Sequence, residues 1–257
     1  MITVQPKLER LGEISYNALG YKMKIIEYNN ARNIIVQFED GYTTKSEYAC
    51  FSKGQILSPY NKRICGVGYI GEGEYSYYYK NNKPLQSYVI WSNMLTRCYS
   101  KNPCKTYASY IECSVHGSWH NFQNFAKWYD ENFYQIGNEK ISLDKDILVK
   151  GNKIYGPENC VFTPSRINNL FIKGNKIRGD YPIGVTCRDN NGRYNAFCNN
   201  IQGHRTSLSV FASPEEAFQA YKNFKEKIIK EVAEKYKFKI PTILYEALLK
   251  YEVEITD

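Results

Sequence analysis

The chain has 257 residues, of which 43% are hydrophobic and 15% aromatic, with a formal net charge of +8. That is enough apolar material for packed cores, which excludes a disordered chain, and enough length for one large or two to three small domains. No apolar run approaches the roughly 18 residues of a membrane-crossing helix, and MITVQPKLERLGE at the start lacks the basic-then-apolar order of a signal peptide. We therefore expect a cytoplasmic protein with no membrane partner. The positive charge favours a polyanionic partner. In such a chain the eight cysteines read as free core thiols or metal ligands, not as a disulfide framework.

In chain order, residues 1–84 read as a small β domain with a connector. Residues 23–28 (MKIIEY) and 33–39 (NIIVQFE) are strand-like, Asp40-Gly41 signals a hairpin turn, and residues 42–51 form the return strand. Short, closely spaced strands predict a five-stranded barrel of the Tudor or KOW type. Gly66-Val67-Gly68-Tyr69-Ile70-Gly71 matches G-x-G-x-x-G, but no helix pattern follows it, so it reads as a flexible glycine-rich connector and not as a dinucleotide site.

From residue 85 the periodicity turns helical. Apolar residues at 88, 91, 94, 95 and 98 share one helical face, as do Phe122, Phe125, Trp128 and Tyr129. The stretch 141–170 then reads strand, turn, strand, helix. Residues 143–149 are the first strand, Lys150-Gly151-Asn152-Lys153 turns, and Gly156-Pro157-Glu158-Asn159 precedes a short strand at 160–162. Thr163 is an N-cap with Pro164 at the first helical position. A unit this small cannot build its own core. It presents a few side chains, often around a metal.

Residues 173–240 form a third segment. Lys173-Gly174-Asn175-Lys176 repeats the earlier turn, and three strands follow at 183–188, 193–199 and 205–211, the first two joined through Asp189-Asn190-Asn191-Gly192. Ser213-Pro214-Glu215-Glu216 is a capping box opening a long amphipathic helix. Residues 173–212 hold six Lys or Arg and two Asp, so half the excess charge sits here. Residues 241–257 form a tail with a short helix after Pro241 and a last strand at 251–256. The fold class is α+β, in several domains: 1–84, 85–172, 173–240 and the tail 241–257.

Four patches carry a resemblance: Trp91-x-x-Met94-x-x-Arg97-Cys98-Tyr99, Trp119-His120-x-Phe122-x-x-Phe125, Leu143-Asp144-Lys145-Asp146, and Pro157-Glu158-Asn159-Cys160-x-Phe162. Together they resemble the HNH-type proteins of bacteriophages, many of them described as homing endonucleases. Gly184-Val185, Gly192-Arg193-Tyr194 and Leu208-x-x-Phe211-x-Ser213-x-Glu215-Glu216-Ala217-x-x-Ala220-Tyr221 are similar to the DNA-binding domain of plant ethylene-response factors, which phage HNH proteins often carry on the C-terminal side. The resemblance covers about residues 88–236 and leaves the N-terminal barrel outside.

The resemblance implies a ββα unit holding one Mg2+ or Mn2+ on a phosphate. It places Asp144 as the strand acid that ligates metal, Asn159 as the loop asparagine that holds the hairpin, and Asn168, with Asn169 beside it, as the second metal ligand. Lys145 stands where the family has its water-activating histidine, and an ammonium is a poor base. Asp146 as ligand or base, and His116 or His120 as a replacement base, are the alternatives. Cys113-x-x-His116 also has ligand spacing, and with Cys98 and Cys160 it would form a structural Zn2+ site; the other reading is buried thiols. In the following module, Arg188, Arg193, Tyr194 and Arg205 are the strand residues expected to reach double-stranded DNA.

Three functions stay open: a metal-dependent HNH nickase or endonuclease, a DNA-binding protein on a catalytically inactive HNH scaffold, and a phage factor that binds a host protein such as a nuclease or defence complex. Each would act in the cytoplasm of the phage's host. For the last, the tyrosine-rich segment 75–79 and the barrel are the candidate contacts.

Overall fold

Alternate apolar side chains organise the first sheet. Met23 and Ile25, then Tyr28, bury one face of β2 (Lys22–Asn30), and Ile34, Val36 and Phe38 do the same for β3 (Asn33–Phe38). The computed structural model describes residues 10–101, 110, 112–172, 180–189 and 192–257. With β1 (Ile14–Tyr16) and β4 (Thr43–Ser46), these strands make an antiparallel meander in the order β1-β2-β3-β4. Among the described residues the sheet has four strands and does not close, in place of the expected five-stranded barrel. The return strand is also shorter than expected. It stops at Ser46, and Tyr48–Ser52 turns into helix α1, which seats Phe51 over the sheet beside Met23 and Ile25.

The chain divides into two compact units. The first holds the described residues up to Glu131 together with Ile154–Gly156. Beyond the sheet its core is aromatic. Helix α2 (Gln86–Tyr99) buries Trp91, Met94 and Leu95 of its predicted face; α3 (Phe122–Asn132) buries Phe122 and Phe125 of its predicted face together with Gln123 and Ala126, while Trp128 and Tyr129 are half-buried. The Trp91 indole N–H donates to the Trp119 carbonyl at 2.6 Å, which satisfies a donor that burial would otherwise leave costly. The glycine-rich stretch is not a loose connector. Tyr69 exchanges backbone hydrogen bonds with the His120 carbonyl and the Phe122 N–H, both at 2.9 Å. β5 (Ser114–Val115) pairs in parallel with β7 (Ile154–Tyr155).

The second unit holds Asn132–Lys153 and the described residues of 157–257. Here β6 (Ile141–Asp144) pairs antiparallel with β8 (Val161–Pro164), followed by a single-turn helix α4 (Ser165–Asn168). Three departures from expectation occur here. The apolar run 143–149 leaves the strand at Asp144, because Ile147 turns inward to the core. The strand continues through Pro164, so helix α4 begins one residue later than expected, and Thr163 is a buried strand residue and not an N-cap. The turn at 173–176 lies outside the described residues.

β9 (Val185–Asp189), β10 (Arg193–Asn199) and β11 (Arg205–Phe211) form an antiparallel sheet in the order β11-β10-β9, close to the predicted strands. Asn190 and Asn191 of the connecting turn lie outside the described residues. Helix α5 (Pro214–Tyr236) is capped as expected: Ser213 Oγ accepts from the Glu216 N–H at 3.2 Å, and Glu216 Oε2 accepts from the Ala212 N–H at 3.3 Å. This helix is the spine of the unit. Its first half packs Ala217, Phe218 and Tyr221 against the sheet residues Val185, Ala196 and Cys198. Its second half packs Ile228, Ile229 and Val232 against Val161 and Ile167 of the hairpin and against α6 (Thr242–Lys250). Burying an aliphatic side chain of this size contributes about 1.5–3 kcal/mol. The tail 251–257 is irregular, where a strand was expected; the Val253 N–H donates to Glu226 Oε1 at 2.9 Å. No helix among the described residues is long and apolar enough to cross a membrane.

Candidate functional site

The strand β6 ends at Asp144, and its carboxylate starts the loop that follows. Asp144 Oδ1 accepts from the backbone N–H of Asp146 and of Ile147, both at 2.9 Å. This is the Asx pattern by which a short acid replaces strand pairing with a turn. Burial pushes the Asp144 carboxyl up to about 6, the nearby Asp146 carboxylate adds to the rise, and the two N–H donors partly offset it. Lys145, almost covered, pairs with Asp146 at 3.1 Å. An ammonium held this way can steady an anion but takes no proton from water.

Asp144 and Asp146 share a small cavity of about 50 Å³ with Lys150 and Tyr251. Asn159 and Asn168 do not line it. Asn159 lies in the turn before Cys160. The amide that ties the hairpin loop is Asn152, whose Nδ2 donates to the Lys145 carbonyl at 2.6 Å. Asn152 appears in the sequence only as part of a turn signal, and nothing in its spacing marks this role. Asn168 ends α4. Asp144 commits Oδ1 to the loop backbone.

The remaining candidates are dispersed. His116 caps a 3-10 turn, its Nδ1 lying 2.7 Å from Ser118 Oγ and accepting from the Ser118 N–H. His120 Nε2 is 3.1 Å from the Val115 carbonyl, and burial lowers its pKa. Cys98, Cys113, His116 and Cys160 are the four candidates for a zinc site. Among the described residues no three His, Cys, Asp or Glu side chains are gathered as a metal-binding group. The four are therefore not brought together as a ligand set. Cys113 and Cys160 are buried.

The sheet β11-β10-β9 has two unlike faces. Ala196 and Cys198 point to helix α5, so Asn195 and Phe197 point away from it. The register sets Thr186 beside Asn195, and Ser207 beside Phe197. Arg205, level with Asn199, lays its guanidinium 4.2 Å from the centre of the Phe197 ring. Arg188 and Arg193 are exposed at the β9–β10 end. Among the described residues neither Arg188 nor Arg205 has a carboxylate in ion-pair reach. Tyr194 differs from the other three candidates. It packs with the core beneath the sheet and meets Tyr181 edge-on at 5.4 Å, so it belongs to the helix side. Thr186, Asn195 and Phe197 were missed from the sequence. Strand alternation around buried Ala196 and Cys198 is the signal that finds them.

Comparisons with family models, with curated proteins and with solved structures each find no match.

Proposed function

We propose that this protein binds double-stranded DNA through the outer face of the β9–β11 sheet, on an HNH-like scaffold whose hairpin is structural and not catalytic. The observation that carries this reading is the basic outer face: Arg188 at the β9–β10 end and Arg205 at the opposite end, level with Asn199, have no carboxylate partners among the described residues, and Arg193 is exposed near Arg188. Arginine's planar fork suits phosphate oxygens and guanine edges, and Thr186, Asn195 and Ser207 add short polar groups on the same surface. The resemblance to phage HNH proteins with an ethylene-response-factor-like module supports the same partner. The hairpin supports the second half of the reading. Lys145 stands at the position of the family's base and pairs with Asp146, and Asp144 Oδ1 is engaged by its own loop.

Gel shift and cleavage assays on one duplex, with and without Mg2+ or Mn2+, test both halves. Wild type is expected to shift the DNA and leave it uncut in either metal. Arg188→Ala with Arg205→Ala is expected to lose the shift. Metal-dependent cutting abolished by Asp144→Asn would overturn the structural reading of the hairpin.

A further inference from the structure

In the first unit, residues 71–78 have little regular secondary structure but are firmly held. The Gly71 N–H donates to the Pro59 carbonyl at 3.0 Å. Gln123, buried on α3, accepts from the Tyr75 N–H at 2.9 Å and donates to the Tyr75 carbonyl at 3.0 Å. One side-chain amide thus does the work of a neighbouring strand. The approach is so close that a Cβ at Gly73 would lie 2.3 Å from Gln123 Oε1. The segment is one wall of an open cleft of about 730 Å³, within the size range of ligand sites.

Arg63 lines this cleft, half-buried. Its Nε is buried without a hydrogen-bond partner, and no carboxylate among the described residues pairs with the guanidinium. The buried Nε is out of a ligand's reach, but the rest of this half-buried guanidinium has no carboxylate partner, and a carboxylate in the cleft suits it. The other charges on the cleft are Glu72 and Glu74. Glu72 is fixed by the Tyr60 hydroxyl, which donates to it at 2.6 Å. Two acids against one arginine repel a polyanion such as a nucleic-acid strand, and they accept a chain that carries both signs. Tyr42, Tyr75, Tyr77 and Tyr78 also line it. Tyrosine supplies broad contact area at low conformational cost and is favoured where proteins meet.

We propose that this cleft is a docking site for an extended polypeptide segment of a partner protein, which presents a carboxylate side chain to Arg63 and a basic side chain to Glu74, the acid that Tyr60 does not hold. It lies wholly within the first unit and does not depend on the DNA reading of the second. Each can fail without the other.

The test uses the full chain and 15N amide spectra, titrated with a capped peptide of sequence KADAK, with its KANAK counterpart, with inorganic phosphate and with an oligothymidylate strand. KADAK is expected to shift amides at 63 and 71–78. Replacing its Asp by Asn, or Arg63 by Gln, is expected to weaken binding by about tenfold, the scale of one charge-assisted hydrogen bond. If Arg63→Gln perturbs the fold, Glu74→Gln, at an exposed position, supplies the check. It should weaken KADAK and leave the spectrum otherwise intact. The proposal is overturned if KADAK and KANAK bind equally, if neither shifts these amides, or if phosphate or the oligothymidylate occupies them more tightly than the peptide.

Discussion

Replacing Asp144 by Asn separates a structural hairpin from a metal site. The amide keeps the oxygen that accepts from the Asp146 and Ile147 N–H groups, and its new N–H₂ faces the Asp146 carboxylate. What disappears is a charge that burial and Asp146 disfavour. The folded carboxyl is raised to about 6 from an ordinary 3.8. The native state therefore holds more protons than the unfolded state between those values. Stability from this group falls as pH rises through that window, and the penalty is complete above it. At roughly 1.4 kcal/mol for each pKa unit, the ceiling is about 3 kcal/mol. Asp144 keeps some contact with solvent, which screens its repulsion from Asp146, so a gain of about 1–2 kcal/mol at neutral pH is expected, or a few degrees in the melting temperature of the second unit. All three tryptophans, Trp91, Trp119 and Trp128, lie in the first unit, so indole fluorescence is blind to this change. Calorimetry, or hydrogen exchange over residues 141–170, is the suitable assay. Asp144→Asn should be the more stable at pH 7.5 and level with wild type at pH 4. A less stable variant at pH 7.5, or a Mn2+-induced rise in melting temperature seen only in wild type, would refute the reasoning.

Other changes test the packing. Gly184→Ala should destabilise the second unit by more than about 2 kcal/mol, since a Cβ there would fall 2.1 Å from the Tyr221 ring at a backbone φ of +78°. A lower calorimetric transition would show it. Ser213→Ala removes the cap of α5 and should cost about 1 kcal/mol, measured by denaturant unfolding followed by circular dichroism. Lys150→Ala should free the tail. The Lys150 ammonium lies 2.9 Å from Asp257, 3.4 Å from Glu254 and 3.0 Å from the Glu252 carbonyl, so faster amide exchange over 251–257 is the expected result.

Long-range periodicity carried most of what the sequence made legible. The helical faces of α2, α3 and α5 are set by many side chains at once, and the three C-terminal strands are bounded by turn residues on both sides. Short elements were harder. Residues 42–51 contain β-branched and aromatic types suited to a strand, yet Phe51 finds a better burial from a helix. Residues 143–149 look like a strand because of Ile147 and Leu148, but Asp144 captures the two following N–H groups and ends it. At the hairpin the sequence cannot show which asparagine ties the loop, because Asn152 and Asn159 both sit in turn signals. The Arg63 cleft was illegible for a different reason. Its lining comes from separate stretches around Tyr42, Arg63, 71–78 and Gln123, which only the fold assembles.

The most direct test of the account is the salt dependence of duplex binding by fluorescence anisotropy, for wild type and for the Arg188→Ala, Arg205→Ala double variant. If the sheet face contacts phosphates, log affinity falls linearly with log salt, and the double variant shows a weaker affinity and a slope reduced by about one for each arginine that contacts a phosphate. Equal affinity and slope in the two proteins would contradict the assignment of this face to DNA.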